Sequence, residues 1–142
     1  MKKSPLLLKS HLKMKALTSF NYYKDKDDYF PVIPIVFTVN KKNIRTLALV
    51  DSGASISVFN GETADLLGLN VEQGKRTTLG GVIGRIVGYT HKVQIKIAGK
   101  SFICPIVFSR ELMVSYNLLG REVFFENFKI TFDEAQKRVI LA

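Results

Sequence analysis

Residues 44–50, IRTLALV, form an apolar run of strand type that ends directly on a carboxylate, Asp51, followed by Ser52 and Gly53. A charged group where a buried strand ends costs desolvation free energy unless it finds donors, a partner charge or a proton. The chain must therefore fold so that one of these converges on residue 51. Ser52 offers a hydroxyl, and Gly53, lacking a Cβ, lets the backbone turn sharply and bring its N–H toward the acid. Asp-Ser-Gly after a strand is also a common turn, so these three residues alone leave a structural turn and a reactive acid both open.

The surrounding sequence is β-rich. Alternating and β-branched stretches predict strands at 15–23, 32–39 and 44–50, with the charged KDKDD at 24–28 as a loop and NKKN at 40–43 as a hairpin turn. GETADLLGL predicts a short helix with Leu66 and Leu67 inward and Gly68 as its stop. Gly80, Gly81, Gly84 and Gly88 interrupt the β-type sequence TTLGGVIGRIVGYTHKVQIKI, which predicts a long, glycine-bent hairpin. SFICPIVF reads as a buried strand after a turn at Gly99. NLLGREVFFENF predicts a turn at Gly120 and then a second helix, and KITFD and KRVILA predict two closing strands. No repeat or low-complexity segment interrupts this order.

A chain of 142 residues has material for one core, here residues 14–142, behind a basic extension at 1–13. The net charge of +9 raises the question of a polyanionic partner. Four of the positive charges, Lys2, Lys3, Lys9 and Lys13, sit in the extension, and the rest are scattered without an aromatic-interleaved cluster. No specific nucleic-acid site is expected. The apolar run Leu6–Leu8 is too short for a signal-peptide core, and no segment approaches the ~20 apolar residues of a membrane span. The single cysteine, Cys104, cannot form an internal disulfide and reads as a small core residue, so a reducing, cytoplasmic setting is expected. His11 and His91 are isolated, so neither a metal nor another cofactor is expected. Ser52 has no histidine placed by sequence to activate it as a nucleophile.

Three elements, taken in order, resemble a known family. Leu49-Val50-Asp51-Ser52-Gly53-Ala54 resembles the active-site segment of aspartic proteases, in which two hydrophobic residues precede Asp-Thr/Ser-Gly-Ala. Leu118-Leu119-Gly120-Arg121 resembles the second signature of the retroviral-type, retropepsin-like members. Between them LGGVIGRIVGY resembles their flap. The likeness covers about residues 30–142, and its C-terminal part looks most like prokaryotic retropepsin-like proteins.

The resemblance implies a mainly all-β, closed-barrel acid protease fold with one or two short helices. It implies Asp51 as the catalytic acid, Ser52, Gly53 and Ala54 as its supporting loop, and Leu79, Gly80, Gly81, Val82 and Ile83 as the flap that contacts an extended peptide. Leu118, Leu119, Gly120 and Arg121 become the structural second signature, with Arg121 supporting the active-site loop and the dimer through buried hydrogen bonds. Aspartic proteolysis uses two carboxylates sharing a proton and a water. This chain carries one Asp-Ser-Gly, since Asp133 in TFDEA has no glycine after it, so the resemblance implies a C2 homodimer. By the same analogy the terminal segments KRVILA and MKALTSF become candidates for the dimer sheet. A catalytically weak or inactive peptide-binding or assembly module on the same fold stays open beside the endopeptidase, because Ser52 stands where threonine is commoner.

Overall fold

Asn40 and Lys41 both adopt positive φ, 49° and 64°, the conformation that two-residue hairpins need, and they fold strand β4 (Val32–Val39) back on β5 (Lys42–Val50). The computed structural model describes residues 17–81 and 84–142. The basic extension, the start of the first expected strand, and Val82 and Ile83 lie outside the described residues. Alternation along β4 buries Ile33, Ile35 and Phe37 on one face and leaves Pro34 and Val36 half-buried on the other.

Strands β6 (Ser57–Asn60), β8 (Gly84–Ile97), β9 (Lys100–Ser109) and β10 (Asn117–Leu119) join these two in the order β4-β5-β10-β6-β9-β8. β8 then pairs with β4 through Val36 opposite Lys96, Phe37 opposite Ile95 and Thr38 opposite Gln94, which closes a six-stranded barrel. The long β8 serves three neighbours in turn: β7 (Lys75–Gly81) near its start, then β9, then β4. Inside the barrel Phe37, Phe59 and Phe108 pack edge-on or tilted, with ring centroids 5.4–6.3 Å apart, among Ile33, Ile35, Ile95 and Ile106. The fold is the all-β acid protease barrel that the sequence led us to expect.

Two smaller sheets flank the barrel. β12 (Arg138–Leu141) lies between β1 (Thr18–Asn21) and β11 (Ile130–Asp133), antiparallel to both. KDKDD is a tighter feature than a loop: β2 (Tyr23–Asp25) and β3 (Asp28–Phe30) form a hairpin across Lys26 and Asp27.

The only α-helix among the described residues, α1 (Gly61–Leu66), starts on the Asn60 side chain, which accepts from the Glu62 N–H at 2.9 Å, and stops at Gly68 with φ +74°. Leu67 is buried beside it, but Leu66 is 69% exposed and does not point inward as expected. With under two turns of helix, successive residues lie about 100° apart, so both cannot face the barrel. The second expected helix is also absent. After Gly120 the chain makes turns, Val123 takes φ +64°, and only a 3-10 turn at Phe125–Asn127 follows. A left-handed residue interrupts the hydrogen-bond run that an α-helix needs.

Candidate active site

β5 and β10 run parallel, with Asn117, Leu118 and Leu119 opposite Ala48, Leu49 and Val50, so Asp51 and Gly120 leave the sheet at the same end. β6 flanks β10 on its other side, antiparallel through Leu118 and Val58. The segment from Asp51 to Ile56 therefore arches over the end of β10 before entering β6. Four main-chain bonds fix the arch: Asp51 N–H to Leu119 C=O at 2.9 Å, Ala54 N–H to Asp51 C=O at 3.2 Å, and the Arg121 and Glu122 N–H groups to the Ala54 and Ser55 carbonyls, each at 2.9 Å. The two motifs singled out in the sequence are thus one hydrogen-bonded unit.

Gly120 sits at the tightest point. A Cβ there would lie 2.2 Å from the Ile56 carbonyl oxygen and 2.8 Å from the Ile56 nitrogen, so no larger residue fits without moving backbone. Its N–H donates to the buried Ser57 hydroxyl at 3.0 Å. Ser57 escaped the sequence reading. Its signal was a polar residue in the apolar run ISVF, because a hydroxyl carried inward must find a partner. Cys104 is buried nearby; burial pushes its thiol up to about 11, with a contact to Ser57 acting in the opposite direction. The thiol belongs to the packing beneath the loop.

Asp51 is half-buried, and its Oδ1 accepts from the Gly53 N–H at 2.9 Å. Ser52, Gly53 and Ser55 are exposed, while Ala54 is half-buried. Among the described residues the Ser52 hydroxyl makes no hydrogen bond, so the Gly53 amide is the local donor that the desolvation argument required. Leu119 is buried and Leu118 half-buried, and both pair with β5. The Arg121 side chain is exposed and has no partner among the described residues, so within one chain Arg121 braces the loop through its main-chain N–H.

The glycine-bent hairpin is β7 with the first part of β8, registered Leu79 to Ile86, Gly80 to Arg85 and Gly81 to Gly84. Val82 and Ile83, between the two strands, lie outside the described residues. At the other end of the hairpin the Thr77 and Thr90 hydroxyls meet at 2.9 Å, and the His91 Nε2 lies 2.9 Å from the Val71 carbonyl. Arg110 ties the neighbouring surface together, holding Asp65 through both guanidinium NH2 groups at 2.8 and 3.0 Å and Glu72 through Nε at 2.9 Å. Its hydrogen bonds hold both carboxyls below their usual range.

Among the described residues no cluster of His, Cys, Asp and Glu could hold a metal ion, and no helix is long and apolar enough to cross a membrane. The arrangement offers one carboxylate, held on one oxygen by a main-chain amide, on a loop whose outer surface is open. That suits acid-base chemistry on a group brought to the loop from outside. A search of curated proteins found no match. The family model for aspartyl proteases matches residues 35–123, which is more than half of the chain and contains Asp51, the hairpin and Gly120. The chain belongs to this aspartyl protease family, of the retropepsin-like clan.

Proposed function

We propose that the protein is an aspartic endopeptidase that works as a homodimer, with the Asp51 carboxylates of two chains facing each other across the axis. The observation that carries this reading is the single Asp51 loop, braced from below by Gly120 and Ser57 but exposed outward at Ser52, Gly53 and Ser55. Two like carboxylates brought within hydrogen-bond reach of each other do not both ionise, so the proposed pair shares one proton. The ionised member takes a proton from the attacking water while the protonated member donates toward the amide oxygen.

The Lys75–Tyr89 hairpin serves as the flap, with Leu79, Gly80, Gly81, Val82 and Ile83 toward an extended peptide whose backbone pairs with strand edges. The exposed ground next to the loop, a groove of about 410 Å³ lined by Ser55, Arg121, Glu122, Phe125 and Glu126, supports a protomer contact there. Of the two terminal segments, KRVILA is the less suited to a dimer sheet, whereas MKALTSF ends in β1, an edge strand. β12, carrying KRVILA, already has a neighbour on each side within its own chain, so in that sheet only β1 and β11 offer edges.

The experiment is cleavage of a mixed peptide library by wild-type protein and by Asp51→Asn at acidic and near-neutral pH, with size measured in parallel. Loss of cleavage in a variant that keeps its thermal transition and dimer size supports the proposal. A variant that cleaves as fast as wild type would overturn it.

A further inference from the structure

The hairpin proposed as the flap is anchored by side chains at its base. β8 pairs with β9 from Tyr89 opposite Phe108, so by register Val87 would face residue 110. β9 ends at Ser109, however, and Arg110 and Glu111 form a turn. Val87 lies two residues before Tyr89, so its N–H and C=O project to the β9 side, where that strand has run out.

Two side chains take the place of the missing strand. The Val87 N–H donates to Glu111 Oε2 at 2.5 Å, and the Val87 carbonyl accepts from the Ser109 hydroxyl at 2.6 Å. The Glu111 N–H in turn donates to Ser109 Oγ at 3.1 Å, which leaves the Ser109 proton for Val87 and closes a ring of three bonds. Gly88, next in line, is buried against β9: a Cβ there would lie 2.4 Å from Val107 Cγ1 and 3.0 Å from the Phe108 carbonyl oxygen. The chain that supplies the ring continues through residues 112–116 into β10 and so to Gly120 and the Asp51 arch.

We infer that Ser109 and Glu111 are positioning residues for the flap. They complete the β8 ladder at Val87, fix the pose of the hairpin beyond Gly88, and thereby set the affinity for peptide. This inference rests on the flap reading above, and the residues act through Val87 without touching the reacting atoms.

The test uses the full chain and reads the ring and the affinity separately. Amide exchange of the segment around Val87 is measured in wild type, Glu111→Ala, Glu111→Gln and Ser109→Ala, together with the thermal transition. Peptide affinity is measured for the same substitutions in an Asp51→Asn background, which needs no turnover. Glu111 is exposed, so its variants fold even if loss of the buried Ser109 hydroxyl destabilises the barrel. Glu111→Ala is expected to speed exchange at Val87 about tenfold, as a tenfold change reports one modest hydrogen bond, and to weaken peptide binding several-fold while the thermal transition stays cooperative and falls by only a few degrees. Glu111→Gln, which keeps an acceptor oxygen, restores both. Unchanged exchange in Glu111→Ala refutes the ring, and faster exchange with unchanged affinity refutes the positioning role. A wild-type protein that cleaves no peptide sinks the protease reading alone, since neither arm of this test depends on cleavage.

Discussion

Gly120→Ala puts the junction of the two motifs to a quantitative test. The new methyl would sit 2.2 Å from the Ile56 carbonyl oxygen and 2.4 Å from its carbon, both backbone atoms that no side-chain rotation can move. Restoring ordinary contact requires the arch and the end of β10 to separate by about 1 Å or more. Bonds of 2.9–3.0 Å joining those same segments, Asp51 to Leu119, Arg121 to Ala54, Glu122 to Ser55 and Gly120 to Ser57, would then stretch out of range. Overpacking costs about 1–3 kcal/mol, and the loss of two of these four bonds adds about 1 kcal/mol each, so a loss of about 3–5 kcal/mol is expected. With a urea m-value of about 2 kcal/mol/M, the midpoint falls by about 1.5–2.5 M. Peptide cleavage should fall with it even where the variant is fully folded, because the same shift displaces Asp51. Gly80→Ala is the matched control for stability, since no atom of the described residues lies within 4 Å of a Cβ there. A Gly120→Ala midpoint within about 0.5 M of wild type would refute the close-approach argument.

Three further outcomes follow from the titratable groups. Tyr22 donates to Glu134 at 2.8 Å, and burial together with that acid pushes it up to about 12. An unfolded tyrosine ionises near ~10, so its stabilisation is complete below that pH and is lost as pH rises through about 12. Urea titrations at pH 8 and 11 should therefore show Tyr22→Phe losing less stability on alkalinisation than wild type. Asp65 and Glu72 are shifted the other way, so Arg110 stabilises above their ordinary range and less as the pH falls through the folded values. The gap in melting temperature between wild type and Arg110→Ala should be largest near neutrality and close in acid. Cys104, fully buried with its thiol raised, should resist a thiol reagent in native protein at pH 8 and react at once in urea.

The parts of the molecule legible in the sequence are those where local pattern and long-range packing agree. β4 begins and ends where alternation of Val, Ile and Phe predicts, and Asn40-Lys41 turns where polar residues able to take positive φ stand. Asp51 and Gly120 were legible as motifs, because a carboxylate at a strand end and a glycine inside an apolar run each violate a local preference. What local pattern does not encode is the partner of each violation. That Gly120 meets the Ile56 carbonyl, that Ser57 receives the Gly120 amide, and that Arg121 braces the arch by backbone while its guanidinium faces outward all depend on β10 inserting between β5 and β6. The same holds for Ser109 and Glu111, ordinary turn residues until β8 is placed beside them. The missing helix after Gly120 failed in the opposite sense: apolar spacing in REVFFENF is helical, and the need to bond Arg121 and Glu122 to the arch overrides it.

The shared dyad is tested most directly by mixing wild-type and Asp51→Asn subunits at a constant total concentration, after exchange, and measuring cleavage against the wild-type fraction. If each active centre takes one Asp51 from each of two chains, activity falls as the square of that fraction, to about a quarter at an equal mixture. Activity that falls in direct proportion, to about half at the same point, would show that one chain works alone and would contradict the account.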